Sequence, residues 1–309
     1  MRYDDFRRSD DIDDRRDDGG GSGGGGFGLP MGGGGLGIGT VIVLGLVGWA
    51  FGIDPRILIG GAEILTGGGQ APSYQTDRQS GPAKSGAPTD DMGKMISGVL
   101  GEIDDRWNEI FQASGQSYSG PRIVLFRNAT NGGRCGMAQS AMGPFYCPPD
   151  KQIFLDTGFF REVETRFRGC SGNACKFTAA YIIAHEAGHH IQNLLGILPR
   201  VTRLQQQAGS KAEANALQVK VELQADCLSG VWVNREEKKR PGFLEAGDID
   251  AALTTATAIG DDTLQRQATG RVMPDSFTHG SAEQRKRWFM IGYQQGTLKA
   301  CDTFGAASL

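Results

Sequence analysis

The sequence has few histidines, and its cysteines are not spaced as in common metal-binding or redox motifs. Only four histidines occur among 309 residues, and three of them, His185, His189 and His190, lie within six positions. No C-x-x-C pair exists, which argues against a zinc ribbon or a thioredoxin-like site. The chain after position 18 has no net charge, with 27 basic and 27 acidic side chains. A body without net charge has no general electrostatic attraction for nucleic acid, so we expect no nucleic-acid partner.

The first 35 residues have a composition that favours disorder. Residues 1–18 hold eight Asp and five Arg, and residues 19–35 are mostly glycine. Neither stretch can bury enough apolar surface to offset the entropy of ordering the chain. We therefore predict a disordered tail over residues 1–35.

One long uncharged run follows this tail. Residues 36–53 contain no charged side chain, and as a helix they would span about 27 Å, close to the hydrocarbon thickness of a bilayer. Trp49 and Phe51 suit a membrane interface, and Asp54 ends the run. We predict a transmembrane anchor over residues 36–59.

Two alternatives to an anchor stay open, a cleaved signal peptide and a buried glycine-rich helix. A signal peptide would start with its basic region and end in a small-residue cleavage site, whereas 35 residues precede this run and no convincing A-x-A site follows it. Five arginines precede the run, so the positive-inside rule places the tail in the cytoplasm. We expect a single-pass membrane protein with its main domain on the far side of the membrane from the cytoplasm.

The cysteine count agrees with that compartment. All six cysteines follow residue 91, and an even number suits three disulfides in an oxidising environment, although scattered reduced thiols would also be ordinary. Proximity along the chain suggests the pairs Cys135–Cys147 and Cys170–Cys175, leaving Cys227–Cys301.

The folded part of the chain begins near Asp91. Residues 60–90 are rich in Gly, Ser, Pro and Gln, which predicts a flexible linker. Residues 91–309 can support a full core, with a helix near 91–113, short strands near 122–127 and 152–156, and then mostly helices. We predict an α+β fold, mainly helical with a short β-sheet.

A histidine pair at helical spacing points to metal chemistry. His185 and His189 are four residues apart, so both imidazoles project from one helix face and can share a metal. Glu186 follows the first histidine, where its carboxylate can reach a metal-bound water but not the metal. This is the H-E-x-x-H arrangement of zinc peptidases. His190 points about 100° away from that face, so we expect it to pack or to support the site from behind.

The third ligand is expected on the next helix. Glu222 and Asp226 are four residues apart among apolar residues of helical spacing, so they enter the core side together. A buried pair of carboxylates needs compensation, which zinc on Glu222 and a histidine N–H on Asp226 would supply. Glu213 is the rival ligand, in a more polar stretch. The metzincin extension is excluded, because it would need glycine and histidine where Gln192 and Leu195 stand.

Two further residues are candidates for the transition state. His279 lies in a loop that leads into a helix, and Arg285 lies six residues later. Both could stabilise the oxyanion of a tetrahedral intermediate. The alternatives are that His279 caps the helix and that Arg285 pairs with an acid.

Several separate segments resemble the bacterial putative neutral zinc metallopeptidases, single-pass membrane proteins. The segments, in chain order, are Cys135–Gly136, Gly143–Pro148, Ile153–Asp156, His185–Gln192, Glu222–Cys227 and Ser276–Ser281. More distantly, the E-x-x-A-D and T-H-x-x-x-x-x-R steps resemble membrane metallopeptidases that include the prenyl-protein proteases. That resemblance implies the same ligands, base and supporting residues. Gly280 departs from it, since those relatives carry proline after the histidine.

These features and the resemblance predict a zincin-like zinc metallopeptidase domain with one Zn²⁺ per chain and a peptide or protein substrate. The resemblance also implies a location in the bacterial inner membrane, with the catalytic domain periplasmic or extracellular. Glu186 would take a proton from the metal-activated water and pass it to the leaving amine. The strand near Gln152–Asp156 could bind extended substrate as an added strand. Two alternatives stay open: a membrane-anchored zinc scaffold or pseudo-peptidase, and a zinc amidase that acts on cell-wall links.

Overall fold

The computed structural model describes two main parts of the chain, an N-terminal arm and the domain that follows. The described residues are 1–17, 88–165, 170, 172 and 174–309, with the backbone of 84–85. The predicted anchor over residues 36–59 lies outside them. None of the helices in the described part of the chain combines the length and the apolar character that a membrane crossing requires.

Five strands form a mixed sheet. In chain order the strands of the described residues are β1 (Ile12–Asp14), β2 (Lys84–Ser85), β3 (Arg122–Phe126), β4 (Ala129–Asn131), β5 (Met137–Gln139), β6 (Phe145–Cys147) and β7 (Gln152–Asp156). The sheet has the order β2-β1-β3-β7-β6, in which β1, β3 and β7 run parallel and the two outer strands run antiparallel to their neighbours. Strands β4 and β5 form a separate hairpin.

Both faces of this sheet are buried. Ile123 and Leu125 of β3 face the main helical core, while Val124 and Phe126 alternate into a smaller cluster with Phe154 on the other side. This period of two is the pattern expected of a strand covered on both faces. The sheet therefore supplies a rigid platform for the helices.

The helices account for most of the chain after the sheet. They are α1 (Asp91–Ala113), α2 (Gly158–Thr165), α3 (Ala174–Leu194), α4 (Ile197–Gln207), α5 (Lys211–Lys239), α6 (Asp248–Ala258), α7 (Asp261–Thr269) and α8 (Ala282–Gln295). Helix α3 is apolar along most of its length and packs between α1, β6 and α5, while α8 packs along α5. The mainly helical α+β class predicted from sequence is confirmed, as are the helix near 91–113 and both short strands.

Three disulfides tie the helices and loops together. They join Cys135 to Cys147, Cys170 to Cys175, and Cys227 to Cys301, which confirms the pairing suggested by proximity. Cys227–Cys301 links α5 to the end of the chain and closes the longest loop of the three, so its removal would release the most chain entropy on unfolding.

The first residues depart from the expected disorder. Phe6 and Ile12 are buried in the main core, and β1 extends the sheet beside β3. Met1 is buried there too, so three apolar side chains anchor this strongly charged segment, and several of its charged side chains form ion pairs. The predicted linker also contains an ordered element, since Lys84–Ser85 pairs with β1.

Candidate metal centre

Three side chains from two helices meet at one point in the core. His185 and His189 of α3 and Glu222 of α5 each offer one ligand atom, and these atoms lie within 4.8 Å of one another. Glu222 Oε2 lies 3.2 Å from His185 Nε2 and 3.5 Å from His189 Nε2. Ligands bound at about 2.0 Å in tetrahedral geometry would be separated by about 3.3 Å. The two distances from Glu222 therefore match the spacing of zinc ligands.

The outer nitrogen of each histidine is held by a hydrogen-bond acceptor. His185 Nδ1 donates to Asp226 Oδ1 at 2.9 Å, and His189 Nδ1 donates to Gln192 Oε1 at 2.9 Å. The Gln192 amide is oriented by its own donor bonds to the carbonyl of Val221 and to Gln224. In the neutral form that binds a metal, each imidazole carries its one proton on Nδ1, and both rings then present an Nε2 lone pair toward Glu222. Two lone pairs and a carboxylate that face one another repel electrostatically, so a cation between them would stabilise the arrangement.

The charge balance around this point also favours a divalent cation. Glu186, Glu222 and Asp226 bring three negative charges into the core, and Arg285 brings one positive charge; all four are less than a tenth exposed. The remaining two negative charges match Zn²⁺. Without a cation, burial lowers the pKa of His185, but the carboxylates of Asp226 and Glu222 outweigh burial and raise it to about 10. That shift reports a strongly negative potential at the ligand atoms.

Glu186 is buried beside the ligands rather than among them. Burial raises the pKa of its carboxyl, although the nearby histidines His185, His189 and His279 oppose that shift. A buried carboxylate with a raised pKa next to a metal position is suited to accept a proton near neutral pH. Burial would raise the pKa of Glu222 too, but His189 and His279 hold it well below its ordinary value, so this carboxyl stays ionised.

Asp226 is the most heavily bonded residue of the site. It is fully buried and accepts hydrogen bonds from His185, from the Tyr181 hydroxyl at 2.7 Å, and from Arg285 Nε and Nη2 at 2.9 and 3.0 Å. Burial favours the neutral acid, but Arg285 and His185 lower its pKa far below the ordinary value. The ionised carboxylate thus fixes the tautomer and orientation of the first histidine.

Arg285 lies behind the ligands. Its guanidinium binds Asp226 and Tyr181, on the Nδ1 side of His185, whereas the Nε2 atom of that ring faces Glu222. The alternative raised from the sequence, that Arg285 pairs with an acid, is what the structure shows. The side chain supports the site through Asp226.

His279 lies near the open side of the site. Its side chain is 24% exposed, and it is close enough to lower the pKa values of Glu186 and Glu222. Its Nδ1 is 2.9 Å from Thr278 Oγ1 and 3.5 Å from Asp261 Oδ1. His189, at 13% exposure, is the other partly open side chain. Solvent and substrate would therefore approach from the side of these two histidines.

The loop that carries His279 is organised by Asp261. Its Oδ2 accepts the backbone N–H groups of Thr278, His279 and Gly280, at 2.6, 2.6 and 3.1 Å. Gly280 has a φ of +91°, which proline cannot adopt. The departure from the proline of the distant relatives therefore reflects a differently built loop that still presents the histidine.

His190 is held away from the metal position. It is fully buried, its Nδ1 is 2.9 Å from the Tyr146 hydroxyl, and its Nε2 donates to the carbonyl of Ser119. Burial lowers its pKa to about 4, so the ring is neutral and links α3 to β6. Glu213, the rival third ligand, is exposed at the start of α5 and accepts from the backbone of Gly209.

Sequence reasoning missed three supporting residues. Tyr181 and Gln192 share a helix with the ligands at i−4 from His185 and i+3 from His189, so helical spacing could have found them. Asp261 had no local signal, because it lies 18 residues before His279 and reaches it only through the packing of α7 against α8.

A family model described as "putative neutral zinc metallopeptidase" matches residues 1–304. The chain belongs to this family. The match includes the N-terminal arm and every residue of the metal centre.

Similar proteins occur in Escherichia coli and in mycobacteria. The Escherichia coli K12 protein YpfJ is 42% identical over 307 residues, covering 99% of both chains. Mycobacterium bovis Mb2605 and Mycobacterium tuberculosis Rv2575 are each 44% identical over 215 residues, covering 67% of this chain and 69% of theirs. All three are named as uncharacterized proteins. No solved structure matches the chain.

Proposed function

We propose that the protein is a zinc-dependent peptidase that hydrolyses peptide bonds. One observation carries the proposal: two imidazole lone pairs and one carboxylate oxygen converge within 4.8 Å, with a second carboxylate, Glu186, beside them. Three protein ligands leave a tetrahedral ion one open position, which is the composition of catalytic rather than structural zinc sites. The family description agrees with this class of enzyme.

The roles of the side chains follow from their positions. Zinc held by His185, His189 and Glu222 would supply Lewis acidity, lowering the pKa of water and polarising a carbonyl. Glu186, buried and with a raised pKa, takes a proton from the attacking water and returns it to the leaving amine. His279, on the open side, is placed to donate a hydrogen bond to the developing oxyanion.

Supporting residues keep these groups in place. Tyr181, Asp226 and Arg285 form a buried network that fixes the His185 ring, and Gln192 does the same for His189. Pre-organisation of this kind matters because an ion that binds in the correct geometry costs no rearrangement during the reaction.

The prediction that extended substrate binds along Gln152–Asp156 is wrong, because β7 is already paired on both sides, with β3 and with β6. Within the described residues, β6 (Phe145–Cys147) is the outer strand on this side of the sheet, and it contacts α3. Its free edge can pair with an extended peptide.

A groove of about 460 Å³ begins at Val219, one turn before Glu222, and passes Phe277 toward Arg287. Its lining combines apolar side chains with the charged Glu283 and Arg287, so it could take a substrate side chain of mixed character.

The test uses the full chain, since the arm is part of the core. Purified protein is assayed for zinc content and for cleavage of casein and of a peptide library. Glu186→Gln keeps the shape of the side chain but removes the base, so we expect retained zinc and a loss of kcat of at least about 100-fold. The exposed Glu164→Gln serves as the matched control. Unchanged cleavage by Glu186→Gln would refute the assignment of the base.

A further inference from the structure

The N-terminal arm is an integral strand of the domain. Ile12, Asp13 and Asp14 pair in parallel with Ile123, Val124 and Leu125. The ladder is extended by the N–H of Arg15, which donates to the carbonyl of Leu125, and by the N–H of Ile123, which donates to the carbonyl of Asp11. This pairing is continuous with the central sheet that supports the metal helices.

Helix α1 is shaped to receive the arm. A Cβ on Gly101 would lie 1.9 Å from the carbonyl oxygen of Arg7, so only glycine admits the arm backbone there. The Ser97 hydroxyl donates to the carbonyl of Ser9, and the backbone N–H of Arg7 donates to Glu102. A glycine in mid-helix is unfavourable, and here the close approach of the arm accounts for it.

Ion pairs tie the arm to the rest of the domain. The amino group of Met1 lies 2.5 Å from Glu245 and 2.7 Å from Asp248 near the start of α6. At the other end of the arm, Arg16 binds Asp90, the N-cap of α1. The arm is thus held at both ends as well as in the sheet.

The two strands that flank residues 18–83 are neighbours. β1 ends at Asp14, and β2, at Lys84–Ser85, pairs with β1 in antiparallel fashion. The intervening chain therefore leaves and re-enters the same edge of one sheet. Paired strands lie about 4.8 Å apart, whereas a single membrane crossing would separate them by about 30 Å of hydrocarbon.

An even number of crossings is not available either. A return crossing would need a second apolar run of about 20 residues. After residue 53 the sequence places charges at Asp54, Arg56, Glu63, Asp77 and Arg78, and no uncharged run between them and residue 83 matches residues 36–53 in length and apolar character.

We propose that the N-terminal arm and the metal-binding domain lie in the same compartment, which a single membrane crossing between them would not allow. The expectation of a cytoplasmic tail with an external domain cannot hold together with a strand shared between the two. The five arginines of the arm then lose their value as a topology signal, because they belong to the folded domain. This proposal does not depend on peptidase activity.

The test places single thiols on exposed positions of each part. Asp10→Cys lies on the arm and Gln206→Cys on α4, and both native residues are exposed. Intact cells are treated with a membrane-impermeant maleimide, with permeabilised cells and the parent chain as controls. We expect both sites to be labelled, or both to be protected, to within about twofold. Labelling of one site and protection of the other would overturn the proposal.

A second measurement checks the strand pairing in native membranes. Asp11 and Arg122 are exposed, and their side chains approach to 3.7 Å across β1 and β3. In the double variant Asp11→Cys/Arg122→Cys, a short bis-maleimide should cross-link the two introduced thiols. The cross-link can form within one chain or between two copies that exchange arms, and either product requires both parts to lie on one side of the membrane. Both thiols labelled singly, but no cross-link, would refute the pairing on which the proposal rests.

Discussion

Replacement of Asp226 by Asn should both destabilise the fold and weaken zinc binding. Asp226 is fully buried and accepts four hydrogen bonds, two of them from Arg285. The Asn amide keeps the shape, but it leaves the arginine without a counter-charge and turns an N–H₂ group toward other donors. Breaking a buried ion pair in this way costs about 3–5 kcal/mol. At about 2–4 °C per kcal/mol for a domain of this size, Tm should fall by about 6–20 °C.

The assay separates the two effects. Stability is measured by thermal unfolding of the metal-free protein, and zinc affinity by competition with a chromophoric chelator, where we expect a loss of about 10- to 100-fold. Asp250→Asn, on an exposed turn of α6, should change neither by more than about 0.5 kcal/mol. Asp226→Asn/Arg285→Met should recover part of the lost stability, because no orphaned charge remains. If Asp226→Asn had the Tm and the zinc affinity of the wild type, the stabilising role of the Asp226 network would be refuted.

Three further predictions concern the loop, the arm and pH. Asp261→Asn should lower kcat by more than about tenfold, with KM and zinc content unchanged. In the double variant with His279→Ala, kcat should fall no further than in His279→Ala alone. Additive losses of kcat would contradict a role of Asp261 through the His279 loop. Phe6→Ala should cost about 3–5 kcal/mol in urea unfolding, with exposed Arg8→Ala as control; no change would mean a detached arm. Burial raises the pKa of Asp104 to about 7. Between about pH 4 and 7 the folded chain keeps this proton and the unfolded chain releases it, so the contribution of this carboxyl to stability should fall as pH rises. The wild type should therefore lose more stability over that range than Asp104→Asn, and equal losses would contradict the assignment.

Much of the fold could be predicted from local patterns. The long helix at Asp91–Ala113 and the strands of the central sheet have clear periodicity, and short separations were enough to pair the cysteines. The arm could not be predicted, because Phe6 and Ile12 acquire a core only from residues more than 80 positions later. Composition describes a segment in isolation, whereas burial depends on its partners.

The metal ligands were more predictable than the residues around them. Helical spacing brings His185 and His189 together, and the only way to compensate a buried acid such as Glu222 is a cation or donors nearby. The sequence left Arg285 with two roles, at the transition state or paired with an acid, and the structure shows its pairing with Asp226. A sequence shows that a charged residue belongs to a site, and only the structure shows which side of the ligands it occupies.

The most direct test of the account is zinc-edge X-ray absorption on the full-length protein, with metal content measured on the same sample. The account predicts one zinc per chain with two imidazole ligands, one carboxylate and one further light atom from water. Glu222→Gln should reduce the zinc content, and Glu213→Gln should not. A sulfur ligand, four protein ligands, or a zinc content unaffected by Glu222→Gln would contradict the claim that this centre is catalytic.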